Sequence, residues 1–410
     1  MATGIEVIYP YVGSLSLGVK ELFEARQLDT DRMSNLLMES KSVNLPIEDP
    51  VTNGVNAAKP LIDAMSPEER ASIRLVIVGT ESGLDFGKPI STYIAHYLKL
   101  SPQCRSFEVK HACYGGTAAL QMALAFVKAS PNQKVKALVI ATDSSSVAAR
   151  NTYWEPSQGA GAVAMIVSNE ATTLTVDYGA NGFHSFEVMD TLRPRPDLEA
   201  GDSDLSLLSY MSCLESSYKD YCEQVEGVDL EKLFRYLVFH TPFAGMVKSA
   251  HRRLMTKVTN RSSSEINQDF EARVEPSIGF CKSIGNIYSA ALYLALCSLL
   301  EYGDHKEEER IGLFSYGSGC ASEFYSGVIS HEGVRRFRAL GISNAISNRR
   351  ALTINEYEKI SDLSIQRMAG VQNLKPDHSS YQHIFEEKFE GSGLLVLDHI
   401  SNFHRKYKWA

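Results

Sequence analysis

Ser106-Phe-Glu-Val-Lys110, His111-Ala-Cys113-Tyr-Gly-Gly116 and Thr117-Ala-Ala-Leu-Gln-Met-Ala-Leu-Ala-Phe126 follow one another without a break and read as strand, glycine turn and apolar helix. A helix leaving the end of a buried strand presents unpaired N–H groups that stabilise an anion, and paired glycines let a substrate carbonyl approach the backbone. Cys113 is therefore expected on the first turn of that helix, where a thiolate is favoured, as a candidate nucleophile. The competing reading is packing, because cysteine is among the most buried residue types and alanines and leucines follow this one.

The same logic recurs along the chain. A strand over 74–78 ends in Gly79-Thr-Glu-Ser-Gly83, and a strand over 135–141 ends at Asp143 and Ser144-Ser-Ser146. Polar residues at the C-terminal ends of buried strands are where open α/β sheets keep their ligand groups. Gln158-Gly-Ala-Gly-Ala-Val-Ala-Met-Ile-Val167 reads as a glycine-relieved bend entering a further strand. The run 231–239 delivers His240-Thr-Pro-Phe243, and a helix after Gly245 carries Lys248 and His251. Ile284-Gly-Asn-Ile-Tyr288 reads as the start of a helix to about Leu300, and Ile311-Gly-Leu-Phe-Ser-Tyr-Gly-Ser-Gly319 as a strand ending in a glycine turn. A last strand is expected over 391–397. Two sets of strand, helix and polar strand end imply an α/β body with internal duplication, divided as 1–180 and 181–410, with a polar, helical excursion over about 181–273. No sequence repeat supports this directly.

At 410 residues the chain is long enough for two domains or one duplicated body. A net charge of -8 argues against non-specific nucleic-acid binding. The seven cysteines form no Cys-x-x-Cys pair and suggest neither a zinc site nor a disulfide framework. With no signal peptide read at the start and no apolar run long enough to span a bilayer, a cytoplasmic protein with reduced thiols is expected.

Four side chains stand near expected element ends. His240 could serve a crevice or be a structural histidine. Asn286 could hold a ligand or cap a helix. Glu81 could hydrogen-bond the next helix turn or, with burial raising its pKa, act as a general base. Ser318, between Gly317 and Gly319, lacks a serine-nucleophile pattern, so its loop is better suited to presenting backbone N–H groups. Together Cys113, Glu81, His240 and Asn286 make acyl transfer through a cysteine thioester the leading chemistry.

Gly79-Thr-Glu-Ser82, Ala112-Cys-Tyr-Gly-Gly-Thr117, His240-Thr-Pro-Phe243, Gly285-Asn-Ile-Tyr288 and Tyr316-Gly-Ser-Gly319 resemble, in order, the motifs of the 3-hydroxy-3-methylglutaryl (HMG) synthases of the thiolase-like superfamily. The resemblance covers almost the whole chain. It implies a five-layered αβαβα thiolase-like fold with internal duplication, a homodimer, and no metal or redox cofactor. It also implies that Cys113 is the acetylated nucleophile, Glu81 the general acid/base and His240 the residue serving the acceptor thioester. Asn286 would help to hold the acceptor, with Ser318 and Gly317 in the loop lining the acyl site.

Two branches of that family come into question. One condenses acetyl-CoA with acetoacetyl-CoA in the mevalonate pathway. The other adds a β-branch to a β-ketoacyl chain on an acyl carrier protein in polyketide biosynthesis, with acetyl delivered by a donor carrier. Met38-Glu-Ser-Lys-Ser-Val43 and Leu45-Pro-Ile-Glu-Asp-Pro-Val51 resemble the polyketide branch more closely. The substrates are then phosphopantetheine thioesters, with coenzyme A as the alternative carrier. Lys248, Arg252 and Arg253 are candidates for meeting the pantetheine phosphate or the carrier protein, and Arg150 is a weaker one; a solvated helix face is the other reading of the first three. A decarboxylating ketoacyl synthase also uses cysteine, histidine and asparagine, but it needs no carboxylate such as Glu81. A non-catalytic carrier-binding scaffold is the further alternative.

Overall fold

The computed structural model of the chain describes residues 2–144 and 148–410, so Ser145 and Ser146, expected at a strand end, lie outside the described residues. Its centre is a nine-stranded mixed sheet ordered Arg105–Val109, Ile73–Gly79, Lys136–Ser144, Ala160–Ser168, Gly4–Tyr11, Leu174–Ser185, Ala321–Ile329, Glu309–Gly317, Tyr236–Phe239. The duplication is visible in its pairing. Ile73–Gly79 runs parallel to Lys136–Ser144, which is antiparallel to Ala160–Ser168, itself antiparallel to Gly4–Tyr11. Tyr236–Phe239, Glu309–Gly317, Ala321–Ile329 and Leu174–Ser185 repeat the same order and senses. The two sets meet where Gly4 and Ile5 pair with Thr175 and Leu174. A Cβ on Gly4 would stand 2.0 Å from the Leu174 carbonyl oxygen, so only glycine allows that seam.

Strand side chains alternate between faces, and the alternation builds the layers. Leu75, Ile77, Val139 and Met165 from the first set, and Val238, Ile311 and Leu313 from the second, share one core with the helices Gly115–Ala129 and Ala291–Tyr302. Their neighbours Val76, Val78, Leu138 and Ile140 turn outward onto the helices Pro50–Asp63 and Ile90–Tyr97. Leu237, Phe239, Phe314 and Phe324 turn outward onto Ser203–Gln224 and Ala244–Val258. The two halves of the one sheet thus form separate layers, giving helix, half-sheet, helix, half-sheet, helix, with all residues from Ala291 to Leu300 buried, as a helix sandwiched between them requires.

Several elements differ from expectation. The strand Gly4–Tyr11 runs through Pro10 without a break, although proline in a strand favours an edge or a break, and Pro10 pairs with Val163 within the sheet. Residues 181–201 are not helical. The Leu174–Ser185 strand runs through position 180, and Thr191–Arg195 pairs with Leu198–Gly201 as a hairpin, because alternating prolines favour extended backbone. Asn286 stands just ahead of the expected helical run: Glu275–Ile284 ends before it, Gly285 has φ +83°, a 3-10 turn covers Tyr288–Ala290, and the α-helix continues from Ala291. The expected strand over 391–397 is the Leu395–Ser401 arm of a hairpin completed by His404–Trp409, whose Leu395, Leu397, Ile400 and Tyr407 pack on the first half's outer layer.

Leu296 is fully buried in the central helix. Leu296→Ala is expected to cost about 2–5 kcal/mol, read as a lower urea midpoint, because a cavity opens between the two halves of the sheet. Met122→Ala, on an exposed position, should leave the midpoint nearly unchanged.

Candidate active site

Glu81 follows the Ile73–Gly79 strand in a turn that a single carboxylate holds. Asp143, fully buried at the end of Lys136–Ser144, accepts through Oδ1 from Thr80 Oγ1 at 3.0 Å, the Glu81 N–H at 2.9 Å and Ser82 Oγ at 2.8 Å. Its Oδ2 accepts from the Ser289 N–H at 3.0 Å and Ser289 Oγ at 2.5 Å. One side chain thus ties the turn at Glu81 to the segment that carries Asn286.

Cys113 does not lie on the first helical turn. The helix starts at Gly115, and Cys113 sits in the turn before it, where Ala112 takes φ +40° and Tyr114 N–H donates to His111 carbonyl at 3.0 Å. The turn is wedged between glycines: a Cβ on Gly79 would come 2.4 Å from the Gly115 oxygen, and one on Gly317 would come 2.5 Å from the Tyr114 nitrogen. From below, the Tyr114 hydroxyl donates to buried Glu323 at 2.7 Å. Cys113 Sγ faces Glu81 Oε2 at 4.0 Å.

The electrostatics oppose the thiolate expected from a helix start. Burial, followed by the charges of Glu81, Asp143 and Glu199, pushes the Cys113 thiol well above its ordinary value. Glu81 is raised to about 8, chiefly by burial and further by Asp143 and Glu199, against the lowering pull of Arg193. Burial alone drives His240 down to about 3, so its imidazole is neutral. The His240 backbone is fixed at both ends, its N–H on the Phe314 carbonyl at 2.8 Å and its oxygen accepting from the Tyr210 hydroxyl at 2.7 Å. Its Nδ1 is buried without a partner among the described residues. Asn286 Oδ1 accepts from the Tyr288 N–H at 2.8 Å and its Nδ2 donates to Gln158 Oε1 at 3.2 Å, leaving a second amide hydrogen for a ligand.

Cys113, Glu81, His240, Asn286 and Ser318 all line one cavity of about 700 Å³. Gly317 does not line it; its place is against the Cys113 turn. Lys248, Arg252 and Arg253 are exposed on the helix Ala244–Val258, outside the cavity wall, and Arg253 is ion-paired with Glu215. Arg150 is ion-paired with Glu358 and Asp362. The cations on the wall are Arg32, Lys110 and Arg193. Arg193, Glu199, Tyr288 and His111 are cavity residues that sequence reasoning missed. The stretch Arg193-Pro-Arg-Pro-Asp197 reads as a surface loop, and only its alternating prolines hinted at a hairpin. Among the described residues no helix is long and apolar enough to cross a membrane.

A duplicated five-layered body with a thiol, a raised carboxyl group and a neutral imidazole around one cavity is the fold and site of a thiolase-superfamily acyl-transfer enzyme. The N-terminal and C-terminal regions described for hydroxymethylglutaryl-coenzyme A synthase match residues 48–172 and 256–408. The chain belongs to that family. It is 48% identical, over 100% of its length and 99% of the relative's, to the polyketide biosynthesis 3-hydroxy-3-methylglutaryl-ACP synthase PksG of Bacillus subtilis (strain 168). It is 34% identical to the hydroxymethylglutaryl-CoA synthase of Enterococcus faecalis, over 87% of this chain and 91% of that one. Among solved structures, the curacin biosynthetic pathway HMG synthase in complex with acetyl donor-ACP matches with a TM-score of 0.97 and 48% identity, each chain covered in full.

Gly317→Ala tests the wedge. The added methyl must displace backbone of the Cys113 turn, so acetylation of Cys113, the nucleophile proposed below, should slow by roughly tenfold or more while the fold survives at a cost of about 1–3 kcal/mol. Acetylation at the wild-type rate would show that the turn has room to spare.

Proposed function

We propose that the protein condenses an acetyl unit, held as a thioester on Cys113, with a β-ketoacyl group on an acyl carrier protein in polyketide biosynthesis. Hydrolysis of the enzyme thioester then leaves a 3-hydroxy-3-carboxymethyl branched acyl-carrier product. The observation that carries this reading is the 4.0 Å approach of Cys113 Sγ to Glu81 Oε2 in a shared cavity. The full-length likeness to a polyketide HMG-ACP synthase favours carrier-bound substrates over coenzyme A.

The chemistry follows from the electrostatics. A thiol held neutral at rest must lose its proton as it attacks, so Sγ–C bond formation to the donor thioester and proton departure are coupled, and the donor leaves as a thiol. Glu81 removes a proton from the acetyl methyl group, and the C–H electron pair moves into the thioester carbonyl as an enolate. That carbon bonds to the acceptor β-carbon, whose carbonyl becomes an alkoxide and takes back the proton from Glu81. A group raised to about 8 exists in both forms near neutrality, as a base that must become an acid requires. His240, being neutral, serves the acceptor through a hydrogen bond and not as a cation. Asn286 offers its remaining amide hydrogen to the acceptor. Water finally cleaves the Cys113 thioester, releasing the new carboxylate.

Partners follow from the same reading: a donor and an acceptor carrier protein, with Arg32 and Lys110 on the cavity wall suited to the pantetheine phosphate and Lys248, Arg252 and Arg253 left to the carrier surface. Ser318 and its loop would line the acyl site. A homodimer in the cytoplasm, built from thiolase-like halves 1–180 and 181–410, belongs to the proposal. The edge strand Arg105–Val109 has a neighbour in the sheet on one side only.

Incubation with acetyl-loaded donor carrier and acetoacetyl-loaded acceptor carrier should give the branched acyl carrier by intact mass, and faster than the coenzyme A pair. Product from the coenzyme A pair alone would assign the mevalonate reaction. Cys113→Ala should abolish the acetyl-enzyme, Glu81→Gln should acetylate without condensing, and His240→Ala should impair use of the acceptor more than acetylation. An acetyl adduct on Cys113→Ala, or none on the wild type with any donor, would overturn the reading.

A further inference from the structure

Two carboxylates, Glu81 and Glu199, line the cavity, a third, Asp143, is buried against the Glu81 turn, and one guanidinium answers the first two. Arg193 enters from the Thr191–Arg195 strand, and its Nη2 donates to Glu81 Oε1 at 2.8 Å and to Glu199 Oε2 at 2.7 Å. Glu199 stands on the other arm of the same hairpin, its side chain only 3% exposed. The Tyr288 hydroxyl donates to Glu199 at 3.4 Å, and the Arg193 guanidinium lies over the Tyr288 ring at 5.2 Å from its centre. The third carboxylate, Asp143, is engaged by the turn and by Ser289. The proposed condensation needs one base and gives Glu199 no part in bond making.

We infer that Glu199 is a positioning residue which, by sharing Arg193 with Glu81, sets the pH at which Glu81 can take a proton from the acetyl methyl group. The inference rests on Glu81 being the acid/base of the proposed reaction. A guanidinium serving two carboxylates stabilises the ionised form of each less than it would stabilise one alone, and the charge of Glu199 opposes ionisation of Glu81 through space. The groups facing Glu81 are Arg193 and Glu199 from the hairpin, Asp143 from the Lys136–Ser144 strand, Cys113 from the nucleophile turn and Tyr288. Of these, Arg193 lowers Glu81 and the two carboxylates raise it. Arg193 given wholly to Glu81 would hold it ionised, a weak base unable to stay protonated until the alkoxide forms. Without Arg193, burial would keep it protonated and useless as a base. The shared arrangement places it between these limits.

The test is single-turnover condensation of the acetyl-enzyme with acetoacetyl-loaded carrier, followed by intact mass over roughly pH 5 to 9.5. In Glu199→Gln the acid limb should move to lower pH by about one unit, so the rate well below the wild-type midpoint rises about tenfold relative to the plateau. Glu199→Asp, which keeps the charge, should return the limb towards the wild type, and Arg193→Gln should move it to higher pH. A purely structural role would lower the rate at every pH without moving the midpoint. An unmoved or raised midpoint in Glu199→Gln overturns the inference, and if that variant does not fold, an unmoved midpoint in Arg193→Gln does so. Glu81→Gln separates the two failures: normal turnover there removes Glu81 as the acid/base, whereas an inert Glu81→Gln with an unmoved Glu199→Gln midpoint removes only the role of Glu199.

Discussion

The hydrogen bonds to the Asp143 carboxylate are the constraint on which the site depends. A carboxylate with no exposure survives in a protein interior only when donors replace its lost water, and each charge-assisted bond contributes about 1.5–3 kcal/mol. Here the donors come from the turn at Thr80, Glu81 and Ser82 and from Ser289 beyond Asn286. The demand of one buried carboxyl group, which burial pushes up and the donors at Ser289, Ser82 and Glu81 pull back, therefore joins a strand end of the first half to a segment of the second. The duplicated sheet brings those elements near each other, and Asp143 sets their register. The glycines at Gly79, Gly116 and Gly317 then allow the Cys113 turn to close against the same strand ends.

Desolvation dominates the chemistry of the cavity. It raises Cys113 and Glu81 and depresses His240, and at each of them it is the largest influence. A resting site with a neutral thiol and a neutral imidazole is not primed by a thiolate–imidazolium pair. In the proposed reaction, its reactivity comes from a carboxyl group that can exchange its proton near neutrality, placed beside the sulfur assigned to hold the acetyl group. Enclosure that suppresses ionisation also keeps water from an acetyl thioester before the acceptor arrives.

Much of the layered fold was legible because apolar strands and the helix after Cys113 are local signals, and Cys113, Glu81 and His240 all sit beside strand ends where such signals change. The duplication was legible as order but not as pairing, since neither Gly4 facing Leu174 nor the return of residues 395–409 to the first half leaves a local trace. Arg193 and Glu199 escaped for the same reason. A polar, proline-alternating stretch looks solvated in sequence, and its inward turn is decided by Glu81 and Tyr288, more than eighty residues away on either side. Lys248, Arg252 and Arg253 are a different case: in sequence they could meet the pantetheine phosphate or the carrier protein or form a solvated helix face, and the amphipathic helix buries His251 and turns these cations to solvent, away from the cavity wall.

In the proposed reaction Cys113 is a tether and Glu81 makes the carbon nucleophile. The most direct measurement of this is hydrogen–deuterium exchange into the methyl group of the acetyl-enzyme, in heavy water and without an acceptor, read by intact mass after return to light water. Deuterium gain is expected in the wild type and none in Glu81→Gln, which still carries the acetyl group. Equal exchange in both would show that another group removes the proton and would contradict the account.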